Sequence, residues 1–411
     1  MPEFLTLIDP DAALSHLFAH FQPHPQVENI PTVEGLGRVT AASVPSPHPL
    51  PAFRRSTVDG YAVQARDTHG ASESLPAYLP LKGEVPMGDR PSFSLLDREC
   101  ALIHTGGMLP EGADAVVMVE HTQSLPENEI EILRAAAVGE NVIDVGEDIQ
   151  EGETVIPQGT RIRPPEIGGL LALGITEVSV ACRPRVGIIS SGDEVIPPEE
   201  EPQPGQVRDI NTYTLSGLVR ETGGDVVPYG IIPDDREPML TALRKAHQEC
   251  DLVVVTAGSS ASSRDLTAEL MDALGEPGVL VHGVNVKPGK PTIFAVAGDK
   301  VMIGLPGNPV SALVIASLYV VPVIEAMLGL RSEKFWPSIS AELTINLSSQ
   351  TGREDWVPVQ LRTTPEGKVL AEPVFGKSNL IFVLVKARGL VQIPADAGGV
   401  EAGSQVRVRL L

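Results

Sequence analysis

The sequence predicts a multidomain chain of the α/β plus β class, built around a central doubly wound, mostly parallel α/β sheet. Three observations predict it. Residues 183–330 alternate short apolar runs with amphipathic stretches of helical period, as strand–helix–strand units do. Residues 51–139 and 331–411 carry short apolar runs divided by Gly, Pro and Asp turns, as β-rich domains do. At 411 residues the chain is too long for one ordinary domain.

Taken in order, residues 1–50 open with a helical stripe, Leu14, Leu17, Phe18 and Phe21, and end in a proline-rich linker, Val44-Pro-Ser-Pro-His-Pro-Leu-Pro. The Asp59-Gly60 pair marks a turn at the head of a β-rich piece running to residue 139. Residues 140–182 change character and close with a helix that starts at Pro164-Pro165-Glu166 and ends at Gly174. They are expected to pack with residues 1–50, which makes 51–139 an inserted β-rich domain.

The 183–330 domain reads as strand 186–190, helix 211–221, strand 225–232, helix 236–247, strand 252–256 and a helix from Asp265. In 331–411 the runs 345–347, 357–361, 380–385 and 406–410 read as strands of a small barrel.

Composition narrows the function. Hydrophobic residues make up 42% of the chain, so it is globular, and a formal charge of −22 argues against a nucleic-acid surface. Cys100, Cys182 and Cys250 form neither a zinc pattern nor a disulfide framework, which fits a cytoplasmic protein. The first residues lack the basic and apolar regions of a secretory signal. The uncharged run 301–324 is interrupted by Pro306, Pro309 and Pro322, so it is expected to be a buried helix and not a membrane span.

In a mostly parallel sheet, ligands bind at the carboxyl ends of the strands. Four polar loops fall there: Ser190 to Glu194, Thr256 to Arg264, Lys287-Pro-Gly-Lys290-Pro, and Pro306-Gly-Asn308-Pro309-Val-Ser311. Asn308 occupies an N-cap position and Pro309 the first position of a long apolar helix. A helix start beside two lysines favours an anion. It is no phosphate-binding P-loop: five residues separate Gly283 from Gly289-Lys290, and Pro291 stands where a hydroxyl would bind magnesium.

These stretches resemble, in order and over nearly the whole chain, the molybdopterin molybdenumtransferase family, whose animal counterpart is the C-terminal domain of gephyrin. The matching motifs are Ser56-Thr-Val-Asp59-Gly-Tyr-Ala, Thr105-Gly-Gly, Pro110-Glu-Gly112-Ala-Asp114, Gly146-Glu-Asp148-Ile, Ser191-Gly-Asp193-Glu194 and Arg208-Asp209-Ile-Asn211, followed by the two turns above. The resemblance implies four domains: an elongated N-terminal domain from 1–50 and 140–182, the insertion 51–139, the α/β domain 183–330, and a C-terminal barrel 331–411.

It further implies that adenylylated molybdopterin is cleaved to release AMP while molybdate enters the dithiolene, with magnesium assisting. Asp59, Glu194 and Asp265 would be catalytic, with Glu194, Asp209 and Asp265 the candidate magnesium ligands. Lys287, Lys290, Pro306, Asn308, Pro309, Ser311, Gly192, Asp193, Gly258, Ser260, Arg264, Arg353 and Ser378 would bind substrate and oxyanion. The implied assembly is a homodimer in which Asp59 reaches the cleft of the other subunit. Contacts with a molybdopterin adenylyltransferase and with molybdoenzymes are also implied.

The sequence departs from the family at Ala257-Gly-Ser-Ser-Ala-Ser-Ser-Arg264-Asp265, where the family usually reads Gly-Gly-Val-Ser-Val-Gly. The serines and Arg264 are expected to supply the cradle's donors, and Asp265 either caps the next helix or serves the chemistry. A non-catalytic pterin-binding scaffold, a nucleotide-cleaving enzyme on the same fold and a preference for tungstate stay open as alternatives.

Overall fold

The structure, a computed structural model, describes residues 7–257, 261–330 and 337–411, with the backbone alone for residues 261–264. Helix α1 (Pro10–His20) starts where the Asp9 side chain accepts the Asp11 N–H, with Pro10 in its first turn. Its stripe Ala13, Leu14 and Leu17, extended by Phe21, enters the same buried cluster as Val281, Val284 and Phe294. The helix therefore packs on the α/β core, in a cluster that Ala181 of residues 140–182 also joins, because that stripe finds its apolar partners there.

The elongated module begins after it. Strand Val27–Pro31 pairs antiparallel with Glu177–Ala181, and Val44–Pro45 with Thr154–Ile156. Helix α2 (Pro164–Ala172) starts where Glu166 accepts the Arg163 N–H, and it buries Leu170 with Ile30, Ile162 and Val178. The inserted piece holds a six-stranded sheet in the order 115–118, 60–63, 100–103, 77–85, 129–132, 122–125.

The α/β domain follows, with strands β1 (Arg185–Ser191), β2 (Asp225–Ile232), β3 (Leu252–Ala257), β4 (Pro277–His282), β5 (Ile293–Ala297) and β6 (Lys300–Pro306). Helices α3 (Asn211–Thr222), α4 (Arg236–Glu249) and α5 (Ala261–Asp272) connect the first four. The order across the sheet is β2-β1-β3-β6-β5-β4, and only β5 opposes its neighbours. From β1 the chain goes outward to β2 and then crosses to β3, so β1 and β3 flank a switch point. Ser190 stands beside Thr256, and Thr256 beside Leu305, which sets three carboxyl ends side by side.

Helix α6 (Pro309–Ile315) runs through a π-helical turn at Ala316–Val320 into α7 (Val321–Met327), 19 residues in all. That span is long and apolar enough to cross a membrane, but most of it lies inside the core with α3 and the sheet. Pro322 was expected to break it and does not. In the π register the Val321 N–H reaches Ala316 O, so the missing Pro322 N–H would have served Ser317 O. The buried Arg409 guanidinium donates to that carbonyl instead, at 2.8 Å, with the Trp356 ring 5.8 Å away. Burial lowers the Arg409 pKa to about 10, which leaves it charged at neutral pH. Arg409→Leu should orphan the carbonyl and cost about 2–3 kcal/mol in urea melts. An unchanged midpoint would show that another donor serves Ser317.

In the last domain, strands 338–343, 354–363, 369–373, 389–393 and 405–410 close into a barrel, because 354–363 pairs with both 369–373 and 389–393. Of the run 345–347, only Leu347 enters a strand. Residues 380–385 were expected to be a strand, but they give helix α8 (Phe382–Lys386). Val383, Leu384 and Ala387 are buried while Leu380, Phe382 and Val385 are exposed, a helical spacing, and the closed barrel offers no edge to pair with. One further pairing joins the domains: Val286–Lys287 runs parallel to Glu354–Asp355.

Candidate active site between the α/β domain and the barrel

A cleft of about 860 Å³ lies between these two domains. Lys287, Lys290, Pro306, Asn308 and Ser311 line it from the α/β side, and Asp355, Trp356, Phe375, Lys377 and Ser378 from the barrel side. The lysine turn is positioned by its glycine. Gly289 has φ +114°, and a Cβ there would come within 2.1 Å of the buried Ile315 side chain on α6. Only glycine lets the turn lie this close to the helix.

The second turn is held from three sides. Asn211 Nδ2 donates to Gly307 O at 2.8 Å, Ala312 N–H to Asn308 O at 2.8 Å, and Val310 N–H to Ser378 O at 3.0 Å. Asn308 has the extended backbone of an N-cap, but its side chain makes no capping bond. The helix start was expected to offer free amides, and the Val310 amide is already engaged. Asn211 Oδ1 and Thr212 Oγ1 are buried and find no partner among the described residues.

The cleft is cationic in a chain of net charge −22. Lys287, Lys290 and Lys377 are exposed. The one carboxylate lining it, Asp355, is buried and held in a bidentate pair by Arg353 at 2.7 and 3.1 Å, with Lys287 Nζ at 3.8 Å. Arg353 pairs with Asp355 behind the cleft and is not among the residues that line it.

The remaining sequence-chosen residues lie outside that lining. Gly192, Asp193 and Glu194 follow β1, and Asp193 Oδ1 accepts the Asp234 N–H at 3.2 Å, as a turn residue does. Asp209 is buried and its Oδ1 accepts the Thr212 N–H at the start of α3, at 3.1 Å. Helix α5 begins at Ala261, four residues before the expected start, which puts Asp265 in its second turn. Asp265 thus cannot be the cap, and its exposed carboxylate borders a shallow depression with Glu269, Asp272 and His282. Gly258, Ser260 and the Arg264 side chain lie outside the described residues.

Asp59 stands in the inserted domain and accepts the Thr105 N–H at 2.7 Å and its hydroxyl at 3.0 Å. Those two donors hold its carboxyl below the ordinary aspartate range. Among the described residues no three His, Cys, Asp or Glu gather as a metal site would need. With Asp209 buried and committed to a backbone amide, Glu194, Asp209 and Asp265 do not make a ready magnesium site.

Sequence reasoning missed Asp355, Trp356, Phe375 and Lys377. Lys377 adjoins Ser378, and that neighbour was the only signal that could have found it.

The chain is similar to known proteins along nearly all of its length. Residues 8–174 match the family model of the MoeA N-terminal region (domain I and II), 187–326 that of a probable molybdopterin binding domain, and 340–411 that of the MoeA C-terminal region (domain IV). A molybdopterin molybdenumtransferase of Haemophilus influenzae is 31% identical over 97% of this chain and 97% of its own length. One from Bacillus subtilis is 32% identical over 100% and 96%. A solved molybdopterin biosynthesis MoeA protein from Pyrococcus horikoshii has a TM-score of 0.87 and 31% identity, covering 99% of this chain and 100% of that one. With relatives above 30% identity along almost its full length, the chain belongs to the molybdopterin molybdenumtransferase family, enzymes of molybdenum-cofactor biosynthesis.

Proposed function

We propose that this chain, in the cytoplasm, inserts molybdate into adenylylated molybdopterin, releasing AMP and forming molybdenum cofactor. One observation carries the proposal: three exposed lysines face a cleft whose lining carboxylate is already paired, in a strongly acidic chain. Molybdate and the phosphoanhydride are both anions, and such a cleft concentrates them where the rest of the surface repels them.

Lys287 and Lys290 hold the oxyanion, with the Ser311 and Ser378 hydroxyls and the Asn308 amide as added donors. The same ammonium groups offset the charge that develops on the leaving phosphate. No step in this scheme runs through magnesium. The experiment is AMP release from adenylylated molybdopterin, measured with molybdate, with tungstate and with neither. Release that depends on molybdate supports the proposal, tungstate alone would change the metal assigned, and no release would end it.

The homodimer is part of the proposal. Asp59 does not line its own chain's cleft, and the Thr105 donors keep it ionised and exposed, ready for a second chain's cleft. Mixing inactive Asp59→Ala with the Lys287→Ala/Lys290→Ala variant, at limiting molybdate, should then restore roughly a quarter of the sites after random subunit exchange in a two-fold dimer. A monomeric mass in solution, or no recovery after verified exchange, would refute the shared site.

A further inference from the structure

On the barrel-side lip, Phe375 has no role in the chemistry above, and Lys377 has none beyond its share of the cleft's charge. Phe375 lines the cleft yet is 67% exposed, so it is not packed as a core ring would be. Lys377, also lining the cleft, is exposed and makes no ion pair among the described residues. The two sit two positions apart on the segment that leaves strand 369–373. That segment is tied at both ends: Val374 N–H donates to Pro358 O at 2.8 Å, and Ser378 O accepts the Val310 N–H at 3.0 Å. A flat apolar face and a cation are therefore presented together, from an anchored stretch of chain, into the same cleft.

We propose that Phe375 and Lys377 form a subsite for a phosphorylated planar heterocycle, the ring lying on Phe375 and the phosphate meeting the Lys377 ammonium. An inorganic oxyanion has no use for the aromatic face, and Lys287 and Lys290 already serve it from the opposite wall. An aromatic face rewards a flat ring, and a nearby ammonium rewards a phosphate carried by the same molecule. This rests on the function proposed above, whose substrate carries two such groups, a pterin and an adenylate. The shared chemistry assigns the subsite to one of the two, and the test distinguishes them.

The test titrates the full-length protein separately with AMP and with molybdopterin lacking the adenylate, by calorimetry, and measures the molybdate half-saturation of AMP release. Lys377→Ala and Phe375→Ala should each raise the Kd of the same one of these ligands about tenfold. Phe375→Ala should leave the molybdate half-saturation where it is. Phe375→Tyr should bind as the parent does. Lys377→Ala should also flatten the salt dependence of binding, which Phe375→Ala should leave in place. Both side chains are exposed, and matching melting curves will confirm that the variants fold. A change confined to AMP assigns the adenylate, and one confined to molybdopterin assigns the pterin. Unchanged Kd values for both ligands, in a protein that still releases AMP, would overturn the subsite and spare the function. A parent protein that binds neither ligand would remove both.

Discussion

Replacing Lys287 and Lys290 together with alanine is expected to lower AMP release at limiting molybdate by about 10²- to 10⁴-fold, since each charge-assisted contact to an anion is worth about tenfold or more. The melting temperature should stay near that of the parent. Both ammonium groups are exposed, and the nearest carboxylate to Lys287, Asp355 at 3.8 Å, keeps its bidentate Arg353 partner. Saturating molybdate should restore much of the rate if the lysines bind the oxyanion, and little if they act only on the leaving phosphate. Normal insertion at limiting molybdate would refute the assignment.

The largest effect on both stability and activity should come from Gly289→Ala. The new methyl would face Ile315 Cγ1 at 2.1 Å and Cδ1 at 2.3 Å, on a backbone at φ +114° that L side chains rarely adopt. Ile315 is fully buried and has nowhere to turn. A cost of about 2–4 kcal/mol is expected from overpacking and backbone strain combined. Adding Ile315→Ala should recover the packing part and leave the strain, because the two residues touch. Urea melts of the single and double variants check this. A silent Gly289→Ala would show that the turn yields, and that the lysines it carries are not fixed by the helix beneath.

The α/β core was legible because its strands are continuous apolar runs and its helices have clean periods; strand 225–232 is observed where it was expected. Both turns could be read because Pro, Gly and Asn punctuate them. Three features could not. The passage of one helix through Pro322 depends on a π turn and on Arg409, a donor remote in sequence and unmarked by any local pattern. Residues 380–385 are apolar without alternation, and only the burial of Val383 and Leu384 against the exposure of Phe382 and Val385 separates helix from strand. Lys377 is a lone lysine, and only the closed barrel brings it to the cleft. Asp209 could be read only as a carboxylate within a motif, and the sequence did not show that its Oδ1 accepts a helix amide.

The cleft is bridged by main-chain bonds at two places: the ladder between Val286–Lys287 and Glu354–Asp355, and the bond from Val310 N–H to Ser378 O. Each bridge joins the α/β domain to the barrel beside a residue that lines the opening. The two walls thus cannot part at these points without breaking backbone pairing. Among the described residues these bridges brace the two walls, so selection by width is built into the free protein.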